Sequence, residues 1–300
     1  MSVRIESEVA ETIERGGAVV ALESTIFSAL GLPAPTNREV LDDCLAAIRA
    51  GGATPAVCAV IDGVAVVGTN DFDRVLATTR KLGERDLPVA IASGATGVTT
   101  VSATVAMAAA AGIEVFATGG IGGVHRGVER TGDISADLGA IARHPVVTVT
   151  AGVKGFLDVA RTVEHLEMLG VPVIGWQTNE FPAFWSRTSG IHLDQRVDDV
   201  ATMARIVRAA RSLRSDTGLI VAAPCPAAEA IDAQDLAPII DGALQDAERA
   251  GVASGAVTPF VLERIFVSTN GRSIVANRSL AVQNAQIAAT LSLALTTTSL

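Results

Sequence analysis

Residues 114–127 read Glu114-Val115-Phe116-Ala117-Thr118-Gly119-Gly120-Ile121-Gly122-Gly123-Val124-His125-Arg126-Gly127. The run Glu114–Ala117, apolar from Val115 on, is too short for a helix and suits a strand, and it opens into a glycine-dense loop. Asp133–Ala142 then carries helical spacing, and Val146–Thr150 is a second buried strand. Strand, helix and strand in that order form a crossover unit with parallel strands. The same alternation extends outward. Ala18–Leu22 is a strand ending at Glu23, and Asn37–Ala50 is a helix stopped by Gly51-Gly52. Ala56–Ile61 and Val64–Val67 flank Asp62-Gly63, a two-residue hairpin signal. Val89–Ala92 reads as a strand, followed by a Ser/Thr/Ala helix to Ala111. Val173–Trp176 and Leu219–Ala222 are further buried strands, and the chain from about Ala227 onward reads as mostly helix. The pattern predicts an α/β fold, three-layer α/β/α with a mostly parallel central sheet, as one domain over residues 1–300. A split near Gly218 is the alternative. In such sheets ligands gather beyond the carboxyl ends of the strands.

Composition narrows the partner. The chain has 300 residues, 49% hydrophobic and 18% charged, enough to bury a large core. A net charge of −9, 3% aromatics and no Tyr argue against a nucleic-acid polymer, which needs a basic surface and stacking platforms. A small phosphorylated substrate fits, because a few cations and backbone N–H groups hold one phosphate. Cys44, Cys58 and Cys225 match neither a zinc site nor a disulfide framework, which suggests a reducing cytoplasm. Met1–Glu14 lacks a signal-peptide pattern. The uncharged stretches Leu87–Ile113 and Ser279–Leu300 are interrupted by Pro88, glycines and amides, so no membrane span is expected.

The residues with chemical potential sit at predicted strand ends. Lys154 lies in Ala151-Gly152-Val153-Lys154-Gly155, after a buried strand and among small apolar neighbours. Desolvation lowers a lysine pKa, and a neutral amine attacks carbonyls to form an imine. The plainer alternative is a helix-start lysine paired with Asp158. Asp133 and Asp137, four apart on one predicted helix face, suit a hard divalent cation, or else a cap and a solvent-facing carboxylate. Glu23 at its strand end suits a general acid, or a partner for Arg38. Lys81 and Arg85 are candidate phosphate ligands or a solvated basic turn. His125 and Arg126 add a proton donor and a charge to the glycine loop. Asn284, in an uncharged helix, needs hydrogen-bond partners that a substrate or the backbone supplies. The glycine spacing fits neither a dinucleotide fingerprint, since His125 stands where the third Gly belongs, nor a Walker loop.

Taken together, Ala21-Leu22-Glu23-Ser24-Thr25-Ile26, Gly31-Leu32-Pro33-Ala34-Pro35, Arg85-Asp86-Leu87-Pro88, Phe116–Gly127, Asp133-Ile134-Ser135-Ala136-Asp137-Leu138 and Ala151-Gly152-Val153-Lys154 resemble the pseudouridine-5'-phosphate glycosidase family, which includes indigoidine synthase A-like proteins. The resemblance runs from about Ala18 to Ala288. It implies an α/β/α homotrimer with Mn²⁺ or a similar ion, and reversible cleavage of pseudouridine 5'-phosphate to uracil and ribose 5-phosphate. By residue, it makes Lys154 the Schiff-base lysine, Glu23 the general acid and Asp133 the metal ligand. It makes Lys81, Val101, Ser135, Ala136 and Asp137 substrate contacts, with Thr118, His125 and Asn284 at other active-site positions. In the chemistry the resemblance implies, protonation of the ring oxygen opens the ribose on Lys154, and the C1' imine forms as the C–C bond breaks in a retro-aldol-like step. The metal serves more as template than as Lewis acid.

Three stretches depart from the family pattern. Phe27-Ser28-Ala29-Leu30-Gly31 is one residue longer and lacks a His, Gly94-Ala95-Thr96-Gly97 lacks a Lys, and Ala223-Pro224 replaces Asn-Pro. They keep open a C-glycosynthase that joins ribose 5-phosphate to a different aglycone. A non-catalytic sugar-phosphate binder is a third reading, opposed by the presence of Lys154, Glu23 and Asp133.

Overall fold

The computed structural model describes residues 3–213, 216–252 and 257–297. Its strands are β1 (Arg4–Ile5), β2 (Val19–Leu22), β3 (Thr54–Ile61), β4 (Val64–Val67), β5 (Lys81–Leu82), β6 (Gly97–Thr99), β7 (Val115–Ala117), β8 (Val147–Thr150), β9 (Val173–Trp176), β10 (Arg196–Val197) and β11 (Leu219–Ala222). They form one sheet whose spine runs β3-β2-β7-β8-β11-β9-β10, with every neighbouring pair parallel. β4 and β6 pair antiparallel with β3. The spine strands β2, β8 and β11 are short Val/Ala/Ile/Leu/Thr runs buried at every position, as a sheet covered on both faces requires. The predicted hairpin at Asp62-Gly63 is present, with φ of 49° and 76°, the pair of left-handed residues that a primed turn demands.

Helices Thr36–Ala50, Val200–Leu213 and Arg272–Thr296 pack together, and the last crosses β2, β7 and β8. Its buried line of Ala276, Ala281, Ala285, Ala288 and Ala289 lets it lie close to the sheet. Helices Val101–Ala110 and Ala136–Arg143 pack on each other, with the first against β2 and β7. The result is the expected α/β/α layering. One hydrophobic cluster extends from Val9 to Leu291.

Two expectations change. Val89–Ala92 is not a strand but part of helix Leu87–Ala92. Pro88 fixes a helical φ in the first turn, and only Leu87 and Ala90 are buried while Val89 is 63% exposed, a one-sided pattern that a buried strand does not show. The strand of this region is β6, and Thr100, in extended backbone, immediately precedes the following helix. The helix expected from Asp133 begins at Ala136, with Ser135 as its cap. Asp133 therefore precedes the helix and does not share a face with Asp137.

Among the described residues no helix is long and apolar enough to cross a membrane. The tail of the stretch Ser279–Leu300, residues 298–300, lies outside the described residues.

The strand order reverses between β2 and β7. From β2 the chain crosses through helix Thr36–Ala50 to β3 on one side, and from β7 through helix Ala136–Arg143 to β8 on the other. These helices belong to opposite layers, so the loops leaving β2 and β7 part at their carboxyl ends and leave a crevice. Register pairs Leu22 with Ala117, and Ala117 with Val149. The next residues, Glu23 and Thr118, therefore emerge side by side.

Candidate active site

Glu23 is 8% exposed, and Thr118 Oγ1 donates to its Oε1 at 2.5 Å. Burial pushes its carboxyl up to about 7; the Lys154 charge and the Thr118 hydrogen bond oppose that shift, Asp137 adds to it and Lys81 opposes it. Its backbone is tied down by its neighbours. Ser24 Oγ donates to Cys58 O at 2.6 Å, Thr99 N–H donates to Ser24 Oγ at 2.9 Å, and Thr25 Oγ1 donates to Thr99 O at 2.7 Å. Arg38 pairs with Asp42 at 2.9 Å rather than with Glu23.

Lys154 is half-buried, and its charge reaches Glu23, Lys81 and His125. Its N–H donates to Ile121 O at 3.2 Å, and Ile121 N–H donates to Gly152 O at 3.0 Å, so the glycine loop and the lysine loop are laced together. Gly152 has φ of 88°, and a Cβ there would lie 1.9 Å from Pro182 O, so only glycine fits. Asp158 does not pair with Lys154. It caps the next helix, accepting from Arg161 N–H at 3.0 Å. Lys81 is open to solvent, yet the surrounding protein and the Lys154 charge hold its ammonium below the usual lysine range.

Asp137 is 6% exposed and fully engaged: Oδ1 accepts from Ser102 N–H at 2.9 Å and Oδ2 from Gly122 N–H at 2.8 Å. It joins the glycine loop to the start of helix Val101–Ala110. Ser135 Oγ accepts from Asp137 N–H at 3.2 Å, and Val101 is buried at that helix start. Asp137 is therefore neither solvent-facing nor on one helix face with Asp133, and each of its oxygens already accepts a backbone N–H. Asp133 is different: its side chain is 40% exposed, with His125 Nδ1 3.8 Å from Oδ2. Burial and the Lys154 charge depress the His125 pKa, against the pull of Asp133. Among the described residues no group of three or more His, Cys, Asp or Glu is placed to hold a metal. One accessible carboxylate does fit a Mn²⁺- or Mg²⁺-type ion that keeps most of its waters.

Asn284 is fully buried, and Nδ2 donates to Thr118 O at 2.7 Å while Oδ1 has no partner. It braces the end of β7 beside Glu23. Ala136 opens the helix that Ser135 caps. Arg126 points elsewhere, pairing with Asp241 at 2.8 Å. Ala95 and Thr96 lie by the Asp62 hairpin, where Asp62 N–H donates to Thr96 Oγ1 at 3.1 Å. Cys44, Cys58 and Cys225 are free and buried, and burial pushes each thiol up to about 12, so none is a nucleophile.

Sequence reasoning passed over the segment Phe181–Trp185, which closes over both loops. Gly120 faces the Phe184 ring, and Gly155 faces Ala183 O and the Trp185 ring. Its signal was available: Phe181, Phe184 and Trp185 lie together in a chain with only 3% aromatics.

The chain is similar to known proteins. The model of the family described as indigoidine synthase A like protein matches residues 8–294. The chain is 47% identical to a pseudouridine-5'-phosphate glycosidase of Methylobacterium nodulans, over 96% of this chain and 86% of the relative. It is also 47% identical to one of Solibacter usitatus, over 97% and 98%. Among solved structures, the prealnumycin C-glycosynthase AlnA in complex with ribulose 5-phosphate aligns with a TM-score of 0.90 at 34% identity, over 98% of this chain and 97% of that one. An indigoidine synthase A-like protein of Thermotoga maritima gives 0.89 at 34% identity, with the same coverage.

Proposed function

Because the chain belongs to the indigoidine synthase A-like family, we propose that it catalyses reversible cleavage of pseudouridine 5'-phosphate to uracil and ribose 5-phosphate. The observation that carries the reading is the buried Glu23 carboxyl, pushed up to about 7 within reach of the Lys154 charge. A carboxyl that stays protonated near neutral pH is a proton donor, and an amine beside it is a nucleophile.

In this scheme Glu23 gives its proton to the ribose ring oxygen as the C1'–O bond breaks, and Lys154 Nζ bonds to C1'. The surplus proton on nitrogen returns to the Glu23 carboxylate. The nitrogen lone pair then forms the C1'=N bond as the C–C bond to the base breaks. That bond's electron pair leaves with the base, which takes up the Glu23 proton at the same carbon to become uracil, and the carboxylate regains a proton from the water of the next step. Water adds to the imine carbon, and expulsion of the amine releases ribose 5-phosphate and free Lys154. Lys81, the N–H groups at the start of helix Val101–Ala110, Ser135 and Ala136 bind the sugar phosphate in this reading. Asp137 fixes the loops around it, His125 and Thr118 line the reacting end, and Asn284 braces it. Asp133 would hold Mn²⁺, and the ion would supply positive charge to order waters and the phosphate. A homotrimer acting in the cytoplasm completes the proposal, and light scattering of the purified chain tests the assembly.

Incubation with pseudouridine 5'-phosphate, followed by chromatography for uracil, tests the activity. A second reading, C-glycosynthase chemistry with another aglycone, is favoured by the likeness to AlnA. Failure to release or incorporate uracil, with ribose 5-phosphate joined to a bulkier carbon nucleophile, favours that reading.

A further inference from the structure

Phe184 has φ of 62°, the left-handed region that a bulky side chain adopts only when its surroundings impose it. Its N–H donates to Ala151 O at 2.9 Å, and its Cδ2 lies 2.5 Å from where a Cβ on Gly120 would stand. The residues around it grip the other side of the lysine loop. Pro182 O abuts Gly152, Ala183 bridges to Gly152, and Ala183 O and the Trp185 ring lie 3.2 Å and 3.3 Å from the Cβ position of Gly155. Trp185 is anchored in turn, with Nε1 donating to Ser273 O at 3.1 Å and its carbonyl accepting from Ile231 N–H at 2.9 Å. One segment thus touches the loop after β7 and both flanks of Lys154.

A glycine at 184 would hold this backbone conformation without strain, so the ring is what the strain retains. We infer that Phe184 is a positioning residue, whose ring and left-handed backbone set the register between the loops 119–123 and 151–155 and so aim Lys154 at Glu23. The inference rests on the Schiff-base role of Lys154 proposed above.

The test uses the full chain with Phe184→Gly and Phe184→Leu. Cleavage kinetics, thermal unfolding, and the rate and end-point of borohydride trapping with ribose 5-phosphate are measured for each. Misaim of a reacting group by about 1 Å costs roughly 10²-fold in rate. The expected result for Phe184→Gly is a kcat drop of that order with KM little changed, and trapping that reaches wild-type stoichiometry slowly. Phe184→Leu, which restores apolar bulk over Gly120, should recover part of the kcat. Wild-type kcat and trapping rate per folded molecule in Phe184→Gly, with only the melting temperature lowered, would overturn the inference. Should Phe184→Gly not fold, the same criteria apply to Phe184→Leu, in which a lowered kcat per folded molecule supports positioning and a wild-type kcat refutes it. A wild-type enzyme that cleaves substrate yet never traps sugar on Lys154 refutes the Schiff-base role itself, a different result from wild-type trapping with an unaffected variant.

Discussion

Replacing Glu23 by Gln should abolish cleavage and yet make the protein more stable above neutral pH. The folded carboxyl is raised from 4.5 to about 7, chiefly by burial. Each unit is worth about 1.4 kcal/mol, so the folded state disfavours the ionised carboxylate by roughly 3 kcal/mol relative to the unfolded chain. The sign follows from proton binding. Between about pH 4.5 and pH 7 the folded state holds a proton that the unfolded chain has released, so wild-type stability falls as pH rises through that window. A neutral glutamine carries no such dependence, and the Thr118 hydroxyl can rotate to bond its amide. Urea denaturation of both proteins at pH 4 and pH 8 isolates the effect, because every other titration is shared. The stability difference should move in favour of Glu23→Gln by about 3 kcal/mol between the two pH values. A difference that does not change with pH would refute the account of a buried carboxyl whose ionisation the fold resists.

The same carboxyl should shape activity: kcat/KM for cleavage should decline as pH rises past about 7, as Glu23 loses its proton. Asp137→Ala strands the N–H groups of Ser102 and Gly122 and should cost about 3 kcal/mol by urea denaturation, with slower cleavage. Gly152→Ala drives a Cβ into Pro182 O and should lower the melting temperature sharply or prevent folding. Chelation should lower wild-type activity and added Mn²⁺ should restore it, whereas Asp133→Ala should respond to neither.

The sheet was legible in the sequence because its spine strands are short apolar runs buried on both faces, bounded by glycines and polar residues. Val89–Ala92 reads as a strand because the apolar run around it carries no period that separates helix from strand, and the deciding feature is the helix-start signal from Pro88. Glu23, Thr118 and Lys154 were found because each follows a strand. That Glu23 and Thr118 touch depends on the β2–β7 register, which no local pattern encodes. The shared helix face of Asp133 and Asp137 is absent because the helix starts later than its spacing suggests: Ser135, not Asp133, caps it, and Asp137 turns inward to two backbone N–H groups. The clasp at Phe181–Trp185 is a long-range contact made through glycines whose missing Cβ atoms make room for it, so it becomes visible only in three dimensions.

The central claim is covalent chemistry at Lys154, and borohydride trapping with ribose 5-phosphate, read by peptide mass spectrometry, tests it most directly. The account predicts a reduced sugar-phosphate adduct on the peptide that carries Lys154, absent from Lys154→Ala. Saturable binding of ribose 5-phosphate with no adduct on Lys154 would contradict it.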